Sequence, residues 1–192
     1  ITITATDSDN DSSSVSFDLD TNSVPTVSAD SPAVTADEGQ TATNTGTITG
    51  LGTGSLTASL GVVTDNLDGT WSWTFDSSDG PDDSQTVTIT ATDGDGDVST
   101  TSFTLTVANL APTIAADNAT VSANVGDVAS NSGSFSDPGA DTVTLTASVG
   151  TVTDNLDGTW SWDFDTTGQA TGVQTITITA TDSDNDSSSV SF

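Results

Sequence analysis

One seventeen-residue segment fixes the reading of this chain. ITITATDSDNDSSSVSF fills positions 1–17 and returns letter for letter at 176–192, and a diverged copy, VTITATDGDGDVSTTSF, stands at 87–103. Each copy is a strand, a loop with aspartate at every second position, and a second strand. Apolar Val87, Ile89 and Ala91 alternate with Thr88 and Thr90, and the alternation resumes through Phe103, Leu105 and Val107. A period of two with one apolar row predicts a half-buried antiparallel hairpin. A slip of one residue would turn every threonine into the core, so the register is strongly specified.

The other repeats set the organisation. GVVTDNLDGTWSWTFD at 61–76 matches GTVTDNLDGTWSWDFD at 150–165, an offset of 89 that also separates Val87 from Ile176. VPTVSADSPAV at 24–34 matches APTIAADNATV at 111–121, at an offset of 87. The expected divisions are the closing hairpin of a preceding repeat at 1–17, a first unit at 18–108 and a second at 109–192. The outer copies are identical while the two units differ, so the expected period is a pair of units, 175 residues long, within a longer chain.

Each unit reads as all-β. In the second unit the strand candidates are 112–115, 119–123, 133–136, 142–148, 151–153, 159–164, 174–180 and 188–192, and the first repeats the series. Short strands punctuated by Gly, Pro, Asn and Asp predict an immunoglobulin-like antiparallel sandwich of two packed sheets, in tandem. Trp71, Trp73 and Phe75, and their counterparts Trp160, Trp162 and Phe164, share one face of a strand and are expected in the core. The alternative, a sugar-stacking platform, requires a tryptophan facing outward.

Charge excludes whole classes of function. The chain of 192 residues has 28 acidic residues, all aspartate but Glu38, and no Lys, Arg or His, for a formal charge of −28. It offers no basic patch to nucleic acid or to an anionic membrane surface, and no apolar run long enough for a membrane helix. The lack of His, Cys, Lys, Arg and Tyr removes most nucleophiles and bases, so no enzyme is expected. Without cysteine there is no disulfide either. A hard cation is the stabiliser left, and calcium, abundant outside cells, points to an extracellular setting. Sequons at Asn10, Asn118 and Asn185 permit glycosylation there. The threonine-rich strand faces are ordinary for exposed sheets and need no ice-binding role.

The aspartates locate the candidate cation sites. Three carboxylates within five residues repel one another by roughly 1 kcal/mol per pair, so such a loop is either splayed into water or gathered round a cation. The triplets are Asp7, Asp9 and Asp11; Asp93, Asp95 and Asp97; and Asp182, Asp184 and Asp186. A sandwich puts its last hairpin loop at the end that receives the linker. That arrangement brings Asp182, Asp184 and Asp186 toward Asp137, Asp141 and linker residue Asn109. It brings Asp93, Asp95 and Asp97 toward Asp18, Asp20 and Asn22. Calcium takes six to eight such oxygens. The Asp-x-Asp-x-Asp spacing lacks the later glutamate and helices of an EF-hand. Asp37 and Glu38 are left out of the expected site, because Asn124 and Val125 replace them in the second unit.

NLDGTWSW, then QTVTITATDGDGD, then the VANLAPTI linker resemble the tandem immunoglobulin-like, cadherin-like and VCBS-type repeats of large bacterial surface proteins. The resemblance implies a secreted, repetitive protein used as an adhesin stalk or matrix fibre, often stiffened by calcium at domain junctions. The expected function is therefore a calcium-rigidified filament or stalk, with an adhesin or carbohydrate-binding module as the alternative. The expected partners are neighbouring repeats of the same chain, with lateral association into fibres left open.

Overall fold

The computed structural model describes residues 1–19 and 23–192. Strands β1 (Thr2–Thr6) and β2 (Ser12–Ser16) form a separate hairpin whose residues are all exposed. The chain then builds β3 (Thr26–Ala29), β4 (Ala33–Asp37), β5 (Thr41–Thr49), β6 (Ser55–Ala58), β7 (Val62–Asp65), β8 (Thr70–Asp76), β9 (Gln85–Thr92) and β10 (Val98–Ala108). These make two four-stranded sheets, in the orders β3-β5-β8-β7 and β4-β10-β9-β6. All pairings are antiparallel except β4 with β10, which run parallel.

The second unit follows the same plan with β11 (Thr113–Ala116), β12 (Val128–Ser136), β13 (Thr144–Ala147), β14 (Thr151–Asp154), β15 (Thr159–Asp165), β16 (Thr177–Thr181) and β17 (Ser187–Ser191). Its sheets are β11-β12-β15-β14 and β13-β16-β17. Strands one, two, five and four on one sheet, opposite three, six and seven on the other, are the topology of an immunoglobulin-like sandwich. The fold is all-β, as its periodicity predicts.

The tryptophans hold the sheets together. Trp71, Trp73, Trp160 and Trp162 are each at most 2% exposed. Each indole N–H donates to a backbone carbonyl: Trp71 to Ser28, Trp73 to Leu60, Trp160 to Ala115 and Trp162 to Val149. Trp73 meets Phe103 edge to face at 4.9 Å, and Trp162 meets Phe192 at 5.2 Å. Gly46 and Gly133 sit under the Trp71 and Trp160 rings, where an added Cβ would lie within 2.6 Å of ring carbon. With no tryptophan exposed, these rings offer no stacking platform for a sugar.

The outward faces carry hydroxyls. Thr144, Thr181 and Ser187 form one row across β13, β16 and β17, and Thr146, Thr179 and Ser189 the next. In the first unit Thr57, Thr90 and Thr100 are aligned in the same way. Neighbouring strands lie about 4.8 Å apart, close enough for Thr88 with Ser102 and Thr177 with Ser191 to hydrogen-bond.

One expected strand is not formed. Residues 119–123 carry no strand, although the equivalent β4 does. In the first unit the equivalent β4 is held by Thr104–Ala108, the last five residues of β10.

Candidate metal centre

The acidic residues gather where the two units meet. On the first-unit side, Glu38 lies in the turn between β4 and β5. That turn is pinned by Ser77, whose hydroxyl donates to the carbonyls of Asp37 and Gln40. The Glu38 amide donates to the Ala108 carbonyl at 3.0 Å, and Gly39 follows with φ of +70°. Glu38 is 0% exposed. Its Oε2 accepts the Gly80 N–H at 3.1 Å and its Oε1 the Leu110 N–H at 2.8 Å, so one carboxylate ties the β8–β9 loop to the linker.

On the second-unit side, the β12–β13 loop presents Asp137 and Asp141 and the β16–β17 loop presents Asp182, Asp184 and Asp186. The Ala140 N–H donates across the joint to the Ser78 carbonyl at 2.7 Å. Gly139 admits the approach of Glu38, since a Cβ there would stand 2.6 Å from Oε2. Ser183 donates its hydroxyl to Asp141. One oxygen each from Glu38, Asp137 and Asp141 lie within 4.8 Å of one another, and so do oxygens of Asp79, Asp141 and Asp184. Asp141 belongs to both groups.

The donor set suits a hard cation. Every candidate ligand is oxygen, as calcium requires. Asp137 Oδ2, Asp141 Oδ2 and Asn109 Oδ1 are buried without a hydrogen-bond partner, a costly state for a polar atom. Buried carboxylates normally sit beside a basic residue, and this chain has no Lys, Arg or His.

The spacing of each aspartate triplet has a second cause. The first aspartate builds its own turn: Asp182 Oδ1 accepts the Asp186 N–H, Asp93 Oδ1 accepts those of Asp95 and Asp97, and Asp7 Oδ1 those of Asp9 and Asp11. The other oxygen is then free for a second task. Asp182 Oδ2 and Asp186 Oδ2 accept the Asn109 amide N–H at 3.0 and 3.1 Å, which brings the linker asparagine into the cluster. Asp93 Oδ2 is buried and unpartnered. Among the described residues, neither Asp93, Asp95 and Asp97 nor Asp7, Asp9 and Asp11 belong to a group of three converging carboxylates. Asp18 is exposed, and Asp20 and Asn22 lie outside the described residues.

Sequence reasoning missed Glu38 and Asp79. The counterpart of Glu38 in the second unit is Val125, and that asymmetry is the signal. At the joint the first unit contributes Glu38 and Asp79 and the second Asp137, Asp141 and Asp184. The far end of the second unit has Asn124, Val125 and 166–172 in place of Glu38 and the acidic loop Asp79, Asp82 and Asp83.

Repulsion marks the same residues. Burial, then the Asp141, Asp82 and Asp83 charges, raises the Asp79 carboxyl above its ordinary 3.8. Burial also raises Asp184, with Asp141 and Asp79 adding to it. Asp137 is raised by burial against the lowering effect of the Gly139 N–H, with Asp141 adding to the rise. A raised carboxyl means that the folded chain holds protons the unfolded chain has already released. Stability from these groups is lost as pH rises through the window just above 3.8 and regained on acidification. From these groups the metal-free chain is expected to gain melting temperature as pH falls into the range just above 3.8, opposite in sign to ordinary acid denaturation. Saturating calcium should abolish or reverse that trend, since protons then compete with the ion. Thermal melts across pH in chelator and in calcium check this.

No family model and no curated protein matches this chain. Among solved structures, the titin domains Z1Z2 in complex with telethonin align at 15% identity and a TM-score of 0.44, covering 89% of this chain and 95% of that one. The adhesin InvE of Yersinia pseudotuberculosis aligns at 18% identity and a TM-score of 0.36, covering 87% of this chain and 57% of that one. The N-terminal eight immunoglobulin domains of Down Syndrome Cell Adhesion Molecule align at 13% and 0.39, covering 100% and 30%. The immunoglobulin-like assignment follows from the strand order given above. No helix among the described residues is long and apolar enough to cross a membrane.

Proposed function

We propose that this chain is a load-bearing part of an extracellular repeat protein, of the kind found as stalks and fibres on bacterial surfaces, in which calcium locks adjoining immunoglobulin-like sandwiches. The observation that carries this reading is Glu38. A fully buried carboxylate of the first unit grips the linker and faces Asp137 and Asp141 of the second, with no basic residue anywhere to balance it. Calcium would supply the missing positive charge. Glu38, Asp79, Asn109, Asp137, Asp141 and Asp184 would hold it, and the residues that hold it belong to both units. Fixing the joint is then the same event as binding the ion.

The competing readings have less support. The buried tryptophans leave no aromatic platform for a carbohydrate module. The residues that ordinarily perform nucleophilic or acid–base catalysis at neutral pH, other than carboxylates and hydroxyls, are missing from the sequence. We therefore read the protein as non-catalytic.

Calcium titration of the chelated chain tests the proposal. A ligand that binds only the folded state adds about 2.7 kcal/mol at a concentration one hundred times its dissociation constant. The expected result is a melting temperature that climbs with calcium, together with a narrower distribution of inter-unit distances in small-angle scattering. If both measurements are the same in calcium and in chelator, the proposal is wrong.

A further inference from the structure

We propose that Asp182 and Asp186 do not hold the cation themselves but aim the linker asparagine, Asn109, at it. The inference rests on the calcium reading above and divides the work among the residues of that site. By sequence Asp182, Asp184 and Asp186 are equivalent ligands. In the structure they are not. Asp184 shares an oxygen group with Asp79 and Asp141, whereas among the described residues neither Asp182 nor Asp186 belongs to a group of three converging carboxylates.

Their oxygens are engaged elsewhere. Asp182 is 5% exposed, and its Oδ1 accepts the Asp186 N–H at 2.8 Å, which closes the turn. Its Oδ2 and the Asp186 Oδ2 accept from one group, the Asn109 side-chain Nδ2, at 3.0 and 3.1 Å. An amide –NH₂ has two hydrogens, so both are used. These two carboxylates also decide which way the amide faces. Turned over, Asn109 would set its carbonyl oxygen against two carboxylate oxygens with no hydrogen between them.

The carbonyl end of Asn109 is left over. Its Oδ1 is buried and has no hydrogen-bond partner, a state that calls for a donor or a cation. Asp137 Oδ2 and Asp141 Oδ2 are buried and unpartnered in the same way, and both residues belong to the oxygen group of Glu38. The next linker residue is fixed by that same glutamate, since the Leu110 N–H donates to Glu38 Oε1 at 2.8 Å. The linker is thus clasped twice, by its backbone from the first unit and by a side chain from the second. An amide suits the place. Glu38, Asp137 and Asp141 already repel one another, and Asn109 adds an oxygen without adding to that repulsion. Groups that orient a metal ligand commonly matter to affinity by about 10–100-fold.

Calcium affinity of the full chain, measured by calorimetric titration, separates holding from aiming. Asn109→Ala removes the oxygen. Asp186→Ala, at an exposed position, frees the amide to turn. Each should weaken binding by about 10–100-fold. The double variant Asn109→Ala/Asp186→Ala should be no weaker than Asn109→Ala alone, because the two residues act through one atom. Asp186→Asn removes the same charge as Asp186→Ala but keeps an oxygen for the Asn109 N–H, and it should recover most of the loss. A direct ligand, or a carboxylate acting only through its charge, would lose as much in Asp186→Asn as in Asp186→Ala. The inference is overturned by that result, by either alanine variant binding like the parent, or by losses that add in the double variant. A parent chain that takes up no calcium at all would overturn the calcium reading itself, and so is told apart from these outcomes.

Discussion

Glutamine at position 38 is expected to abolish tight calcium binding at the joint while leaving the metal-free chain as stable as before, or slightly more so. The two effects have opposite signs for one reason. Without metal, Glu38 is a 0% exposed negative charge held by two backbone N–H groups and opposed by no cation. Glutamine keeps one acceptor and turns an N–H₂ toward the other donor, losing about 1 kcal/mol of hydrogen bonding. It also removes a buried charge whose desolvation costs several kcal/mol. With metal, the balance inverts. Removing one partner of a buried charge pair costs about 3–5 kcal/mol, so calcium affinity should fall by at least about 100-fold. Asp141→Asn should act at least as strongly, because Asp141 contributes to both oxygen groups. Calorimetric titration with paired melts in chelator and calcium decides the matter. An unchanged affinity in Glu38→Gln would remove Glu38 from the site.

The largest loss of stability is expected at Trp160. Its ring is 0% exposed, its indole N–H reaches the Ala115 carbonyl at 3.2 Å, and it stacks on Phe192 with centroids 6.4 Å apart. Truncating a buried tryptophan to alanine costs about 3–5 kcal/mol. For a domain of this size each kcal/mol moves the melting temperature by about 4–8 °C, so a fall of at least about 12 °C is expected. Gly133→Ala attacks the same contact from the other side. An added Cβ would lie 2.0 Å from the Ala115 oxygen and 2.6 Å from the Trp160 ring. The oxygen is backbone and cannot swing away, so β11 and β12 must part. A melt of Gly133→Ala indistinguishable from the parent would show that β11 and β12 separate there without loss of stability.

Period-two alternation made the sandwich legible, because a sheet with one wet face leaves its pattern directly in the sequence. The four tryptophans could be assigned to the core for the same reason, each standing in an apolar row opposite another. Alternation states which face a segment would bury and says nothing about whether it pairs, so 119–123 read as a strand in the sequence and carry none in the structure. The site was half legible. Asp137, Asp141, Asn109 and the Asp182 loop could be brought together by topology alone. Glu38 and Asp79 could not, because they come from the opposite unit, and their role depends on how two folded bodies meet. The triplet spacing was ambiguous in principle: aspartate two and four residues before a backbone N–H is also what a tight turn requires, and Asp7, Asp93 and Asp182 all use one oxygen in that way.

The hydroxyl rows on the outer strands have a consequence for how these molecules meet sideways. The flank formed by β13, β16 and β17 carries only threonine and serine outward, and its carboxylates stand in the adjoining turns. Negative charge is therefore thin along that flank and dense where sandwich abuts sandwich. Dissolved salt, which shortens the reach of such fields to about 8 Å at physiological strength, acts mainly on end-to-end encounters. Two chains lying side by side with these neutral walls in contact feel little of the formal charge of −28.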